Sequence, residues 1–574
     1  KFFVWLGSVV QVRACLGRRV STSMGHQRSS SGTSDGICSA LFSRYIMPCA
    51  TFCCGRIARP SRKSRPSVRR QPTVGGLVNK SFRKMTTDSF DVSNIVLHND
   101  PCRPIEEHYT LAESIGRGAF GYVFKATHRH SGEVRAVKFI AKSDCKEDLE
   151  IVATELEAMI RIAHPNVLTI YEFFEQKTKI IVVMELCDGG TFHSLVPSSS
   201  TDVEVRVLFR DVMLGVAYCH ALGIAHRDLK MENCLICNGQ MRRLAKIIDF
   251  GLAAIRNEDQ VDSDTWLAET LGTKFFVAPE VIDRRQCYGE KCDIWSIGIM
   301  IFIVLTDEHP FAEKASGMRT KQLFSAILKV DMRQAPLVKK KVGAAAQECI
   351  SRLLKKKPEE RLNAEQALQE TWLRPDGFRE LDIKQVLRRQ ESRQLWRRLE
   401  TFSETSLTEK LILSLEAHST NLASVDRMRA AFAALDVDGN GSLSFEELQR
   451  GLGACGMDVP EEKAKTMFEA LDTNNNGKVN YLEFITATLE PAMIDSEASM
   501  REVFDWFDED NDGSISTKEL CNAVGQKEAD EVLEISDTSH DGVLSWEEFK
   551  DMMHKLADRR RSAEQSPSTG RAAH

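Results

Sequence analysis

Between Asp436 and Glu548 a twelve-residue acidic pattern with a central glycine recurs four times, and its residue types suit one kind of ion. The first copy carries Asp436, Asp438, Asn440, Gly441, Ser442, Ser444 and Glu447, and the second Asp472, Asn474, Asn476, Gly477, Lys478, Asn480 and Glu483. The third carries Asp508, Asp510, Asp512, Gly513, Ser514, Ser516 and Glu519, and the fourth Asp537, Ser539, Asp541, Gly542, Val543, Ser545 and Glu548. Oxygen side chains at positions 1, 3, 5 and 12 suit Ca²⁺, position 7 (Ser442, Lys478, Ser514, Val543) needs only its backbone carbonyl, and glycine at position 6 permits the sharp turn. One such match could be chance, but four in succession predict up to four calcium sites.

A second constellation lies far upstream. Gly116-Arg-Gly118-Ala-Phe-Gly121-Tyr-Val123 is followed by a strand pattern, a Ser131-Gly132 turn and a second strand ending in Ala136-Val137-Lys138. A dinucleotide fold would need a helix after the glycines, so this reads as a glycine-rich hairpin that covers phosphates with backbone amides, with a lysine on the following strand to neutralise them.

Apolar periodicity shows how these groups must be carried. The segments entering the first and third loops show Met428, Ala431, Phe432, Leu435 and Met500, Val503, Phe504, Phe507 at helical spacing. Such faces pack inside closed hands and are partly exposed in open ones. The first two loops start 36 residues apart and the last two only 29, which predicts shortened helices in the fourth hand. Ser539 in place of a carboxylate makes the fourth the weakest or least mobile site. The four-loop set resembles calmodulin.

Three further motifs are His226-Arg227-Asp228-Leu229-Lys230-Met231-Glu232-Asn233, Asp249-Phe250-Gly251 and Ala278-Pro279-Glu280. With the glycine-rich hairpin, their order and spacing resemble the protein kinase family over residues 109–373. In that family the protein's task is to align a hydroxyl, hold metal ions and stabilise charge, because phosphoryl transfer needs little covalent help. The resemblance implies that Asp228 is the base, that Lys230 contacts phosphate, and that Asn233 and Asp249 hold Mg²⁺. It also implies that Lys138 meets the α/β phosphates of ATP and pairs with Glu155. Ile115, Gly116, Gly118, Gly121 and Val123 would cover the nucleotide, and the segment Glu185 to Cys187 would meet it from the other side. Met184 occupies the position that controls access behind the adenine, while Asp293 and Arg361 match structural positions, Arg361 pairing with Glu280. Thr191 stands where many kinases that read an upstream arginine have a glutamate, although Glu232 still offers a carboxylate. Glu269 lies where many relatives carry an activating phosphate, so pairing with Arg227 is expected.

Between these parts, residues 384–399 hold six Lys or Arg against Glu391, with Val386, Leu387, Leu395, Trp396, Leu399 and Phe402 on an apolar side. A basic amphipathic helix of this kind is a calmodulin-target-like ligand. Kinase, junction and four hands in that order resemble the calcium-dependent protein kinases of plants and protists. The fold implied is α+β and multidomain: a two-lobed kinase at 109–373, a junction at 380–424, four hands at 425–556 and a polar tail at 557–574. The activity implied is calcium-activated transfer of the γ-phosphoryl of MgATP to protein Ser/Thr hydroxyls, with the junction inhibitory until calcium makes the hands grip it. Scaffold and membrane-adaptor readings are the alternatives, and a monomer that binds no nucleic acid is expected.

The 574-residue chain has a net charge of −6, which hides its distribution. Residues 426–558 carry a net −20, the junction +5, and residues 24–84 a net +11. Residues 1–105 lack sustained periodicity and read as a disordered basic extension. Lys1 opens the sequence and Met24 is its first methionine, so residues 1–23 read as upstream sequence. Met24-Gly25 begins a pattern for myristoylation of Gly25, which with the Arg-rich run would favour a cytoplasmic protein that touches membranes. Sixteen scattered cysteines suit a reducing compartment, and Cys234 and Cys237 read as buried core residues rather than half a metal site.

Overall fold

The computed structural model describes residues 104–565 except 119–120, 143–151, 153–154, 157, 160–161, 177, 196–201, 240–241, 257–272, 284–287, 313–317, 375–388, 420–421, 456, 458, 509–511 and 525. The extension with Gly25, the activation segment with Glu269, and Lys384 to Arg388 of the junction therefore lie outside the described residues, as does Asp510.

Five antiparallel strands form the first layer: β1 (Tyr109–Gly118), β2 (Gly121–His128), β3 (Val134–Ala141), β4 (Ile170–Glu175) and β5 (Lys179–Glu185), in the order β1-β2-β3-β5-β4. Val137, Ile140, Ile180, Ile181, Val182 and Val183 are all buried, as β-branched residues fit a sheet covered on both faces. At the turn of the glycine-rich hairpin a Cβ on Gly121 would stand 1.6 Å from the Phe139 carbonyl oxygen, so no larger residue fits. The described residues around Glu155 are helical and bring that carboxylate under β3.

A helical lobe follows. Its centre is the helix Lys291–Thr306, whose side chains are buried nearly throughout, packed beside the helix Asp202–Ala221 and the hairpin Cys234–Asn238 with Arg243–Ile247. Arg361, fully buried, donates to both Glu280 carboxylate oxygens (2.6 and 2.9 Å) and lies over the Trp295 ring. Breaking such a pair leaves a buried charge without its counter-ion.

Among its described residues the junction carries two helices, Arg389–Ser403 and Leu407–Ser419, broken at Glu404 to Ser406. Both enter a core shared with the carboxy-terminal helices: Leu395, Leu399, Phe402, Leu411 and Leu413 are buried beside Met467, Phe484, Phe504 and Phe549. The four acidic loops are joined in two pairs by short antiparallel ladders, Ser442–Leu443 with Val479–Asn480 and Ser514–Ser516 with Val543–Ser545.

Two expectations need correction. The short spacing of the last two loops does not shorten the fourth hand, whose helices are Gln526–Ser536 and the 20-residue Trp546–Gln565. Most of the shortening falls instead on the link between the third and fourth hands, a single residue between the helices Thr517–Val524 and Gln526–Ser536 where the first pair has six, and the rest on the exit helix of the third hand. The expected tail from 557 begins as helix up to Gln565, because Arg560 is buried there, donating to the Ala487 and Leu489 carbonyls (3.3 and 3.2 Å).

Arg361→Ala is expected to destabilise the kinase region by about 3–5 kcal/mol, measured as a lower urea midpoint of its unfolding transition. An unchanged midpoint would contradict the role given to the pair.

Candidate active site and calcium loops

Sequence motifs far apart meet between the two lobes. Lys138 on β3 donates to Glu155 Oε1 at 3.0 Å, with both side chains nearly buried. Burial raises the Glu155 carboxyl above its ordinary range, Lys138 opposes this, and Asp249 adds to it. An Asp249 oxygen and a Glu155 oxygen both flank Gly251, 3.3 and 3.5 Å from where its Cβ would stand, so both carboxylates border that glycine.

The loop carrying Asp228 is fixed from behind. Asp293, at the start of its buried helix, accepts from the His226 and Arg227 backbone N–H groups (2.9 and 2.8 Å) and lies 3.0 Å from His220 Nε2. Burial would raise the Asp293 carboxyl, yet the His220 bond and the neighbouring positive groups hold it below its ordinary value, so it serves as an anionic anchor. Arg227 has a φ of 65° and Asp249 one of 67°, a backbone region costly for such side chains and found where a site is held under strain. Arg227 donates to the Leu252 carbonyl at 2.6 Å, tying the loop to the segment after Asp249.

On the open side of this support, Asp228 Oδ1 accepts from the Thr273 amide and hydroxyl (2.8 and 2.7 Å), and Asp228 Oδ2 meets Lys230 Nζ. Lys230 Nζ also reaches Thr273 Oγ1 at 3.3 Å. Asn233 is fully buried and donates through Nδ2 to the Asp228 carbonyl at 2.9 Å, while its Oδ1 has no hydrogen-bond partner among the described residues. A buried amide oxygen left unpaired is costly unless something else fills its coordination, and with the Asn233 amide 3.5 Å from an Asp228 carboxylate oxygen it fits a hard divalent cation. Thr273, which closes this cluster, was missed in the sequence because it belongs to no short motif.

The nucleotide-side residues divide. Gly116, Gly118, Gly121 and Val123 pair across the β1/β2 hairpin in the register Gly116 to Val123 and Gly118 to Gly121, and Ile115 is exposed beside them. Glu185 does not present a free side chain: it pairs with buried Lys246 at 2.7 Å. Cys187 is bonded to Cys237, with 4.6 Å between their Cα atoms, so Cys237 is more than the buried thiol expected, whereas Cys234 is a free buried thiol as read.

In the first calcium loop Asp436, Asp438 and Glu447 hold carboxylate oxygens within 4.8 Å of one another, a donor set that fits Ca²⁺. In every loop the position 1 aspartate accepts from the backbone N–H of the central glycine: Asp436 from Gly441 (2.9 Å), Asp472 from Gly477 (2.7 Å), Asp508 from Gly513 (3.1 Å) and Asp537 from Gly542 (2.9 Å). Each position 12 glutamate is likewise tied to position 9, as in Ser444 with Glu447 and Ser545 with Glu548. In the fourth loop Ser539 donates to Asp537 at 3.1 Å. The apolar faces of the first and third hands, Met428 to Leu435 and Met500 to Phe507, are buried with the junction helices in one core.

Residues 109–373 match the protein kinase domain model, and residues 425–489 and 497–554 each match the EF-hand domain pair model. Calcium-dependent protein kinase 11 of Arabidopsis thaliana is 31% identical over 382 residues, spanning 65% of this chain and 73% of the relative. The chain belongs to the calcium-dependent protein kinases. Calcium-dependent protein kinase 9 of the same plant is 32% identical over 383 residues, covering 65% of this chain and 67% of that protein. Calcium-dependent protein kinase 5 of Oryza sativa subsp. japonica is 32% identical over 384 residues, covering 65% of each chain. This calcium-dependent protein kinase is therefore a calcium-activated Ser/Thr kinase that uses ATP and Mg²⁺ and binds Ca²⁺ in its EF-hand region. Among the described residues no helix is long and apolar enough to cross a membrane.

Because the buried Asp293 holds the loop carrying Asp228 from behind, Asp293→Ala is expected to lower kcat by about 10²-fold while the KM for ATP changes little. Steady-state kinetics showing a normal kcat would remove the anchor from the account.

Proposed function

We propose that Asp228 accepts the proton of a substrate Ser or Thr hydroxyl while Lys230 neutralises the transferring phosphoryl group. The observation that carries this reading is the cluster of Asp228, Lys230, Thr273 and Asn233, with the Asn233 Oδ1 unpartnered among the described residues. Asn233 and Asp249 would hold Mg²⁺, which supplies charge neutralisation to the phosphates when bound. Lys138, oriented by Glu155, grips the α/β phosphates, and the hairpin from Ile115 to Val123 covers them with backbone amides. The backbone from Glu185 to Cys187 borders the adenine, since the Glu185 side chain is occupied by Lys246.

Regulation follows from the junction. Its apolar residues Leu395, Leu399 and Phe402 are buried with the hands, and its Arg398 donates to Glu564 Oε1 (2.6 Å) and to the Thr488 carbonyl (3.1 Å). This supports a released state in which the hands grip the junction. Without calcium the same apolar side would be free to rest on the kinase and hold it inactive. All four loops, 436–447, 472–483, 508–519 and 537–548, are read as calcium sites. The kinase is read as a cytoplasmic monomer, and acylation of Gly25 with the basic run that follows it would add membrane contact.

The test is transfer of phosphate from MgATP to a Ser/Thr peptide by the purified chain, with calcium or with chelator. Activity is expected only with calcium and should fall by several orders of magnitude in Asp228→Ala; equal activity in chelator would refute the switch. For the fourth hand, Glu548→Gln is expected to shift calcium sensitivity less than Glu519→Gln. Equal shifts in the calcium titration would refute the ranking.

A further inference from the structure

The first calcium loop differs from the other three in what surrounds it. A Cβ on Gly441, its central glycine, would lie 2.7 Å from Tyr218 Cδ2 and 2.8 Å from His164 Cδ2, both in the kinase domain. A Cβ on Gly439 would lie 2.8 Å from Leu214 Cδ2 and 3.1 Å from Leu368 Cδ1. At Gly477, Gly513 and Gly542, the central glycines of the other loops, nothing lies within 4 Å. The sequence carries the same distinction at position 4, where the first loop has Gly439 and the others Asn475, Asn511 and His540. Gly439 and Gly441 are buried, whereas Asn475, Gly477, Gly513 and Gly542 are exposed.

The contact surface is closely packed on the kinase side. Leu214 and Tyr218 lie one turn apart on the helix Asp202–Ala221, and the Tyr218 and His164 rings stack at 5.1 Å. Leu368 is itself buried in the kinase core. Elsewhere the hands meet the amino-terminal lobe through Glu502, which pairs with Arg135, and Asp505, 3.0 Å from His130. Those contacts come from the helix entering the third loop; among the four central glycines, only that of the first loop would bring a Cβ within 4 Å of the kinase.

We propose that the first calcium loop is a docking element whose occupancy by Ca²⁺ and whose seating on Leu214, Tyr218, His164 and Leu368 stabilise one another. This rests on the reading of residues 436–447 as a calcium site. The backbone of Gly439 and Gly441 fits the kinase surface in the closed conformation in which Asp436 accepts from the Gly439 and Gly441 N–H groups (2.8 and 2.9 Å). An ion that favours this conformation favours docking, and by linkage docking raises the affinity of this loop alone for calcium. The kinase domain thus acts as part of the calcium sensor, through one hand out of four.

The experiment is calorimetric calcium titration of the full chain for the wild type, Leu214→Glu, Glu447→Gln and the double variant, with half-maximal calcium for peptide phosphorylation measured in parallel. Leu214→Glu is expected to weaken one binding step by about fivefold or more, to leave the other steps unchanged, and to raise half-maximal calcium for activity. It should have no further effect on calcium binding in the Glu447→Gln background. Equal shifts in both backgrounds, or none in either, would overturn the proposal. If Glu447→Gln removes no binding step from the wild type, the reading of the loop as a calcium site fails and takes the proposal with it. Leu214→Ala, which adds no charge, gives the same comparison with a smaller expected shift should the glutamate variant fail to fold.

Discussion

Leu395, Leu399 and Phe402 lie on one side of a single helix, and that side can be buried in only one place at a time. In the structure it is buried among Met467, Phe484 and Phe549 of the hands. Burying each such side chain contributes on the order of 1.5–3 kcal/mol, so leaving the surface bare is costly and some apolar partner must cover it. A competition for one helix face is therefore enough to make a switch. The basic residues add direction rather than most of the energy: Arg398 is satisfied by Glu564 and the Thr488 carbonyl, and burial of Arg560 below the Phe402 ring lowers that guanidinium to about 10.

The proposed catalytic centre depends on buried anchors behind it. Asp293 fixes the loop carrying Asp228 from behind, the Glu280 pair with Arg361 fixes the floor of the helical lobe, and Glu155 fixes Lys138. Each buries a charge, and each does so with its counter-charge or hydrogen-bond donors in place, the condition under which buried charge is tolerated. The hands and the junction reach the kinase domain through the Arg135 pair with Glu502, the bond of His418, on the second junction helix, to the Ile170 carbonyl (2.8 Å), and the first loop.

Much of this was legible in sequence because short-range rules govern it. The glycine-rich hairpin, the catalytic run and the twelve-residue loops are local patterns whose spacing is their geometry, and Arg361 meets Glu280 as the family resemblance implied. What could not be read depends on tertiary packing. Thr273 closes on Asp228 from 45 residues away without a motif of its own. Cys187 and Cys237 meet because the segment after β5 pairs at Gly189 and Gly190 with Ile236 of the strand Cys234–Asn238, which their spacing of 50 does not announce. The short interval between the last two loops falls mostly on the link between their helices rather than on the fourth hand, since spacing gives a sum of helix and linker lengths but not their division. The kinase contact of the first loop had one signal in the sequence, glycine at position 4, which is visible only when the four loops are compared.

The central claim is that calcium moves the junction helix into the hands. The most direct measurement is the distance between a spin label replacing Arg393 on the junction and another replacing Lys465 on the second hand, both exposed positions. With calcium the account predicts a single narrow population at the separation in this structure, and with chelator a longer or broader one. The same narrow distribution in both conditions would contradict it.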